Sequence, residues 1–225
     1  MVRCVMFDLD GTLVDTAPEI ADAVNDSLRR LGRPAASEEQ VRGWIGHGAR
    51  EMLGKALTAA GVGATSANAQ WESFRHDYLE RCGTRSRVYP GVVPMLERLR
   101  AAGTNLALLT NKESAFAHRV LVKHDLNAYF DAIVAGDTLP VKKPHPDTIR
   151  HLLEAFGAEP GQALLIGDSA VDVRTARAAG VEVWLVRHGY ANELLEGADA
   201  PDRWIDDFDQ VEMRDAERLT IASAY

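Results

Sequence analysis

The chain has 225 residues, a formal net charge of −8 at pH 7, and hydrophobic and charged fractions of 46% and 26%. That is enough to bury a sizeable core in one domain, or in one domain carrying an insertion, and the composition is that of a soluble globular protein. The acidic balance argues against a nucleic-acid surface, no stretch is long enough to span a bilayer, and Cys4 and Cys82 stand in no metal-binding spacing, so neither a disulfide framework nor structural zinc is expected. Arg3 interrupts the start and the first apolar run is short and ends in acids, so no signal peptide is read and a reducing cytoplasm is the expected home.

In chain order, Val2 to Phe7 is apolar and β-prone and predicts a buried parallel strand that Gly11 breaks, leaving Asp8 at its carboxyl end. Thr16-Ala17-Pro18-Glu19 has the pattern of a capping box, with Ile20, Val24, Leu28 and Leu31 then on one helical face before Gly32. Ser37 to Gln40 is a second capping signal. Met52, Leu53, Ala56 and Leu57 predict a third helix, and Trp71, Phe74, Tyr78 and Leu79 a fourth, with Gly61 to Ala69 as the loop between them. Residues 17 to about 86 therefore read as all-helical.

After Tyr89-Pro90-Gly91 the pattern alternates. A helix (Val92, Met95, Leu96, Leu99) leads to a strand at Leu106 to Thr110, a helix (Phe116, Val120, Leu121) and a strand at Ala132 to Ala135. A helix from Pro146 to Phe156, a strand at Ala163 to Ile166, a helix from Ser169 to Ala179 and a strand at Val181 to Val186 complete the pattern. The fold class this predicts is α/β, a doubly wound parallel sheet formed by residues 1–16 and 87–225, with an all-helical domain, 17–86, inserted after the first strand. Met213 to Tyr225 is a weakly determined tail.

Asp8 and Asp10 are the strongest chemical signal. Two carboxylates this close resist joint ionisation unless a cation or a proton intervenes, and a strand's carboxyl end is where open α/β sheets place ligands. The bland alternative is a turn in which Asp10-Gly11-Thr12 satisfies backbone donors. Four stretches in order, Asp8-Leu9-Asp10-Gly11-Thr12, Thr110, Lys143 and Gly167-Asp168-Ser169-Ala170-Val171-Asp172, resemble the motifs of the haloacid dehalogenase-like (HAD-like) superfamily of phosphatases. Trp44-Ile45-Gly46-His47-Gly48 and Lys142-Lys143-Pro144-His145-Pro146-Asp147 resemble its phosphoglycolate phosphatase branch. A dehalogenase is disfavoured, because related dehalogenases lack the second aspartate, here Asp10.

The residue chemistry suits that resemblance. A carboxylate can attack phosphorus and split one hydrolysis into two displacements, so Asp8 is the candidate nucleophile. Asp10 can protonate the leaving oxygen and then activate water, with repulsion from Asp8 helping it to keep its proton. Thr110 can donate to the phosphoryl oxygens and Lys143 can supply positive charge, although Lys142 beside it could do the same. Asp168, at another strand end, can meet Asp8 to hold Mg²⁺, which prefers hard oxygen ligands.

The resemblance implies ligation of Mg²⁺ by the Asp8 carboxylate, the Asp10 carbonyl and Asp168, with Asp172 in support. Ser169 reads equally well as a helix cap. Substrate contacts are expected from Thr110, Asn111 and Lys143, and carboxylate recognition from the Gly46-His47-Gly48 turn with Arg50. A helix-breaking turn at His47 and a solvated Arg50 are the bland readings. Trp44 reads as core, and His118, His124 and His151 as surface histidines. The expected activity is Mg²⁺-dependent hydrolysis of a small phosphorylated metabolite, 2-phosphoglycolate, by a monomer or homodimer without nucleic-acid or membrane partners. Sugar phosphates or pyrophosphate as substrate, a phosphomutase, and a non-catalytic phosphate-binding protein are the alternatives.

Overall fold

The computed structural model describes residues 2–63, 66–190 and 195–211. β1 (Cys4–Phe7) and the short β2 (Val14–Asp15) precede four helices, α1 (Ala17–Arg30), α2 (Glu38–Arg42), α3 (Ala49–Ala59) and α4 (Ser66–Arg81). β3 (Arg87–Val88) then returns to pair antiparallel with β2. The alternation follows: α5 (Val92–Ala101), β4 (Asn105–Leu109), α6 (Ser114–Lys123), β5 (Ala132–Val134), α7 (Asp147–Phe156), β6 (Ala163–Gly167), α8 (Ala170–Ala179), β7 (Glu182–Val186) and β8 (Arg203–Ile205).

Six parallel strands form one sheet in the order β5-β4-β1-β6-β7-β8. The chain walks outward from β1 through β4 to β5, then crosses back to lay β6 on the other flank of β1. The strand order thus reverses between β1 and β6, and ligands of open α/β sheets bind outside the carboxyl ends at such a point. β1 is buried on both faces, and its side chains divide by the strand period of two. Val5 and Phe7 join the cluster containing α5, α6 and the insert, whereas Cys4 and Met6 join the cluster containing α7 and α8. Helices on both faces explain why β1 and β7 read as continuous apolar runs rather than alternating ones.

In the insert, Ile20, Val24 and Leu28 of α1 are buried in one cluster with Trp71, Phe74 and Tyr78 of α4, and α3 adds Met52, Leu53, Ala56 and Leu57. Ser37 caps α2 as its sequence predicts, while Gly157 and Gly180 close α7 and α8 in the left-handed conformation.

Several expectations fail, each to a tertiary partner. Thr16 makes no side-chain cap for α1; its hydroxyl donates to Asp10 Oδ1 at 2.7 Å, and the Tyr190 hydroxyl takes the Thr16 and Ala17 N–H groups at 2.7 and 2.9 Å. Glu19 is fully buried instead, its Oε2 accepting from the N–H groups of Gly83, Arg85 and Ser86 at 2.9, 3.3 and 3.0 Å. This ties the root of α1 to the segment by which the chain leaves the insert. α4 begins at Ser66, so the loop expected to reach Ala69 is shorter, and β8 and the β2–β3 pair were not expected. His118 and His151 are exposed, but His124 is half-buried with a ring nitrogen 2.8 Å from Ser86 Oγ. Trp44 is only partly buried against the core. The tail from Met213 lies outside the described residues.

Candidate active site

Asp8, Thr110 and Asp168 each stand immediately after a strand, β1, β4 and β6 respectively, and because these strands are adjacent the three residues come together at the carboxyl end of the sheet's centre. Leu9 N donates to Asp8 Oδ1 at 2.8 Å, and Lys143 Nζ lies 3.1 Å from the same oxygen. Lys143, from the β5–α7 segment, also reaches Asp172 Oδ1 at 2.6 Å and is buried, whereas Lys142 is exposed and donates to the His47 carbonyl at 2.5 Å. The neighbouring lysines thus face different walls. Asp172 Oδ2 accepts from Ser169 N and Oγ at 3.2 and 2.7 Å and from Asp168 N at 3.3 Å. Ser169 and Asp172 therefore cap α8 and also fix the charge cluster.

Glycines shape the cradle. Gly11, at φ 81°, and Gly189 leave the space that the Asp168 carboxyl occupies; a Cβ at either position would collide with it. Tyr190 N donates to Asp168 Oδ2 at 2.7 Å and is the donor to that carboxylate among the described residues.

Burial pushes the Asp8 carboxyl up to about 6, with Lys143 opposing the shift and Asp172 and Asp10 reinforcing it. Burial, then Asp172 and Asp8, holds Asp168 well above the usual carboxylate range. Burial also works against the charge on Lys143, but Asp172 and Asp8 outweigh it and raise its pKa. One ammonium is thus shared among three buried carboxylates whose ligand atoms lie within 4.8 Å of one another. The surplus negative charge, carried by hard oxygens, fits a small divalent cation such as Mg²⁺. Asp8 and Asp168 would face it. Asp172, with both oxygens engaged, would support from behind.

Asp10 lies beside this cluster. Lys112 Nζ donates to its Oδ1 and Oδ2 at 2.9 and 3.2 Å, so its nearest charged partner is a cation rather than Asp8. The Lys112 side chain is 2% exposed, and its ammonium donates to the Tyr78 hydroxyl of α4 and lies 4.8 Å from the centre of that ring. Burial opposes its charge, but Asp10 together with Cys82 and Glu19 outweighs burial and raises its pKa.

A cavity of about 480 Å³ covers these groups. It is lined by Asp8, Asp10, Thr110, Asn111, Lys112 and Asp168 from the core and, across from them, by Tyr78 and the Gly46-His47-Gly48 turn. The core holds that turn by its backbone: Asn111 Nδ2 donates to Gly46 O and Lys143 O at 2.9 Å each, and Glu113 accepts from Ala49 N at 3.2 and 3.3 Å. Gly48, at φ 92°, permits this approach, since a Cβ there would press on the Asn111 carbonyl at 3.1 Å. Both amide hydrogens of Asn111 are therefore spent on joining the walls, and its Oδ1 has no partner among the described residues. His47 reaches the cavity with its Nδ1 likewise without a hydrogen bond, Glu51 Oε1 lying 3.9 Å away, and burial lowers its pKa. Arg50 does not reach it. It is exposed, donates to Asn68 Oδ1 at 2.8 Å and stacks 4.4 Å over the Trp71 ring, because the second residue of α3 points along the outer face toward α4.

Lys112, Tyr78 and Tyr190 went unread in the sequence. The signal for Lys112 was its place directly after Thr110-Asn111; Tyr78 was visible as a core ring, but nothing local aims its hydroxyl.

The site is a group of strand-end carboxylates at the switch point of a doubly wound sheet, faced by the helical insert. The chain matches the family described as haloacid dehalogenase-like hydrolase over residues 5–186, and it belongs to that family. It is 41% identical over 208 residues to phosphoglycolate phosphatase 1 of Pseudomonas aeruginosa, covering 91% of this chain and 76% of that one. It is 43% identical over 203 residues to the plasmid phosphoglycolate phosphatase of Cupriavidus necator, covering 87% of each. Among solved structures, a predicted phosphoglycolate phosphatase from Haemophilus somnus aligns with a TM-score of 0.83 at 33% identity, covering 92% of this chain and 95% of that one. Among the described residues no helix is long and apolar enough to cross a membrane.

Proposed function

We propose that this protein is a Mg²⁺-dependent phosphomonoesterase that hydrolyses 2-phosphoglycolate to glycolate and phosphate through an aspartyl phosphate on Asp8. In this reading residues 1–16 and 87–225 are the catalytic core and 17–86 the cap. The observation that carries it is the held carboxylate of Asp8: Leu9 N and Lys143 both occupy Oδ1, which leaves Oδ2 to attack. The similarity to phosphatases acting on phosphoglycolate supports the choice of substrate.

Asp8 Oδ2 forms a bond to phosphorus as the ester oxygen departs, and Asp10 supplies that oxygen with a proton. Water then attacks phosphorus, gives its proton to Asp10, and the Asp8–phosphorus bond breaks to release phosphate. The Thr110 hydroxyl accepts from Lys112 N at 3.2 Å, which leaves its own hydrogen to donate to a phosphoryl oxygen. Lys143 holds Asp8 in place and balances charge. Asp8, the Asp10 carbonyl and Asp168 would hold Mg²⁺, which would supply neutralisation of the phosphoryl oxygens. The cap keeps bulk water from the leaving-group side. Phosphate release with and without Mg²⁺, across a panel of phosphomonoesters, tests the reading: activity requires the metal and kcat/KM is highest for 2-phosphoglycolate. Turnover indifferent to the metal, or a clear preference for a sugar phosphate, would overturn it.

A further inference from the structure

In 2-phosphoglycolate the carboxylate carbon is two bonds from the ester oxygen that Asp10 protonates. A substrate seated for that transfer therefore brings its carboxylate against Asp10 inside a buried cavity, and once Asp10 has given up its proton two like charges face each other there. Like charges in such a place exclude each other unless a cation stands between them.

Lys112 is the cation in that position. Its ammonium touches Asp10 by two bonds and lines the cavity. The other cationic side chains of the wall are engaged elsewhere. Arg42 is bound to Asp15 and Glu38, Arg174 pairs with Asp199 at 2.5 Å, and neither makes an ion pair with Asp8 or Asp10. His47 is held toward its neutral form by burial, and Arg50 lies outside the cavity lining. Tyr78 adds an independent observation. It is fully buried and its oxygen accepts from Lys112, but among the described residues nothing accepts its own hydrogen. A buried donor without an acceptor is costly, and it points to an acceptor that arrives with the ligand. Burial holds the phenol well above its usual range, so that hydrogen is present at neutral pH.

We propose that Lys112 and Tyr78 together form the receiver for the substrate carboxylate, with Lys112 shared between that carboxylate and Asp10. The proposal rests on the assignment of 2-phosphoglycolate as substrate. Because Lys112 belongs to the core and Tyr78 to the cap, the receiver is complete only when the two walls are together.

The test compares kcat/KM for 2-phosphoglycolate with that for 2-hydroxyethyl phosphate, which has a hydroxymethyl group in place of the carboxylate. Lys112→Met slows both substrates, because it also releases Asp10, but it lowers the ratio of the first to the second by about 10- to 100-fold, the worth of a hydrogen bond to a charged group. Lys112→Arg, which keeps the charge, restores most of the ratio. Tyr78→Phe lowers the ratio by several-fold and serves as the deciding variant if circular dichroism shows Lys112→Met unfolded. Equal losses on both substrates in the folded variants overturn the receiver while leaving the substrate assignment intact. A wild-type enzyme inactive on 2-phosphoglycolate overturns the assignment and the receiver with it.

Discussion

On the core side of the cavity, side chains hold side chains: Lys143 bridges Asp8 and Asp172, Ser169 braces Asp172, and Lys112 grips Asp10, with the two lysines and Asp172 nearly inaccessible. On the cap side the Gly46-His47-Gly48 turn is held by its carbonyls and by Ala49 N, and the His47 side chain remains 40% exposed. The difference is one of tolerance. A network of buried charges fails when one member goes, because the rest are left unpaired. A turn held by its backbone keeps its anchors when the His47 side chain changes, as long as the flanking glycines stay.

The largest break in the core wall is Asp8→Asn. Turnover is abolished while the fold persists, since the amide matches the carboxyl in shape but cannot form the acyl phosphate; substantial phosphate release by a variant with native circular dichroism would remove Asp8 from the mechanism. Lys143→Met comes next. It leaves Asp8 and Asp172 buried without their counter-charge, a loss of about 3–5 kcal/mol in stability, and slows turnover by about a hundred- to a thousandfold. Denaturant midpoints and kcat check the two effects separately, and a variant as stable as the parent would show that the pairing carries no weight.

Metal removal sharpens the same contrast through pH. Asp8 and Asp168 have folded-state pKa values raised by burial, to about 6 for Asp8. Their contribution to stability is complete below the unfolded carboxylate range and is lost as pH rises through the folded values. The EDTA-treated protein is therefore expected to melt at lower temperature as pH rises through about 6, and Mg²⁺ to oppose that fall by binding the ionised carboxylates. Melting curves over that window with EDTA and with Mg²⁺ decide it; parallel curves would mean the metal does not use these groups. The smallest effect belongs to the cap wall. Lys142→Ala removes one exposed bond to the His47 carbonyl, so KM for 2-phosphoglycolate rises by no more than about tenfold at nearly constant kcat. A collapse of kcat would instead place Lys142 in the core network.

The same contrast explains what the sequence discloses. Asp8, Thr110 and Asp168 were legible because each follows an apolar run, and the alternation of such runs with helices is enough to align strand ends. Lys143 was legible only as one of two adjacent lysines; the partners that separate them, Asp172 and the His47 carbonyl, are brought in by the fold. The Thr16 capping box failed because Asp10 and Tyr190, the latter 174 residues away, compete for its groups. Lys112 resembles any solvated lysine until Tyr78 closes over it. Arg50, read as a carboxylate ligand from its nearness to the turn, was displaced by helical geometry, which turns it toward Trp71. β8 is three residues long and follows Pro201-Asp202, too little pattern to register as a strand.

The bond set of Glu19 has a consequence for exchanging this cap between proteins. Since Glu19 gathers the N–H groups at 83, 85 and 86, the insert carries its own clasp, and a graft that takes residues 17 to 86 whole brings both halves with it. Tyr190 is the opposite case, a fixture of the core that grips the residues on both sides of the 16–17 junction, Thr16 and Ala17, and, through its main-chain N–H, the carboxylate of Asp168. A cap swap cut inside α1 beyond Glu19 severs the clasp, whereas one cut at the Thr16–Ala17 peptide, the boundary proposed for the cap, leaves both fastenings usable.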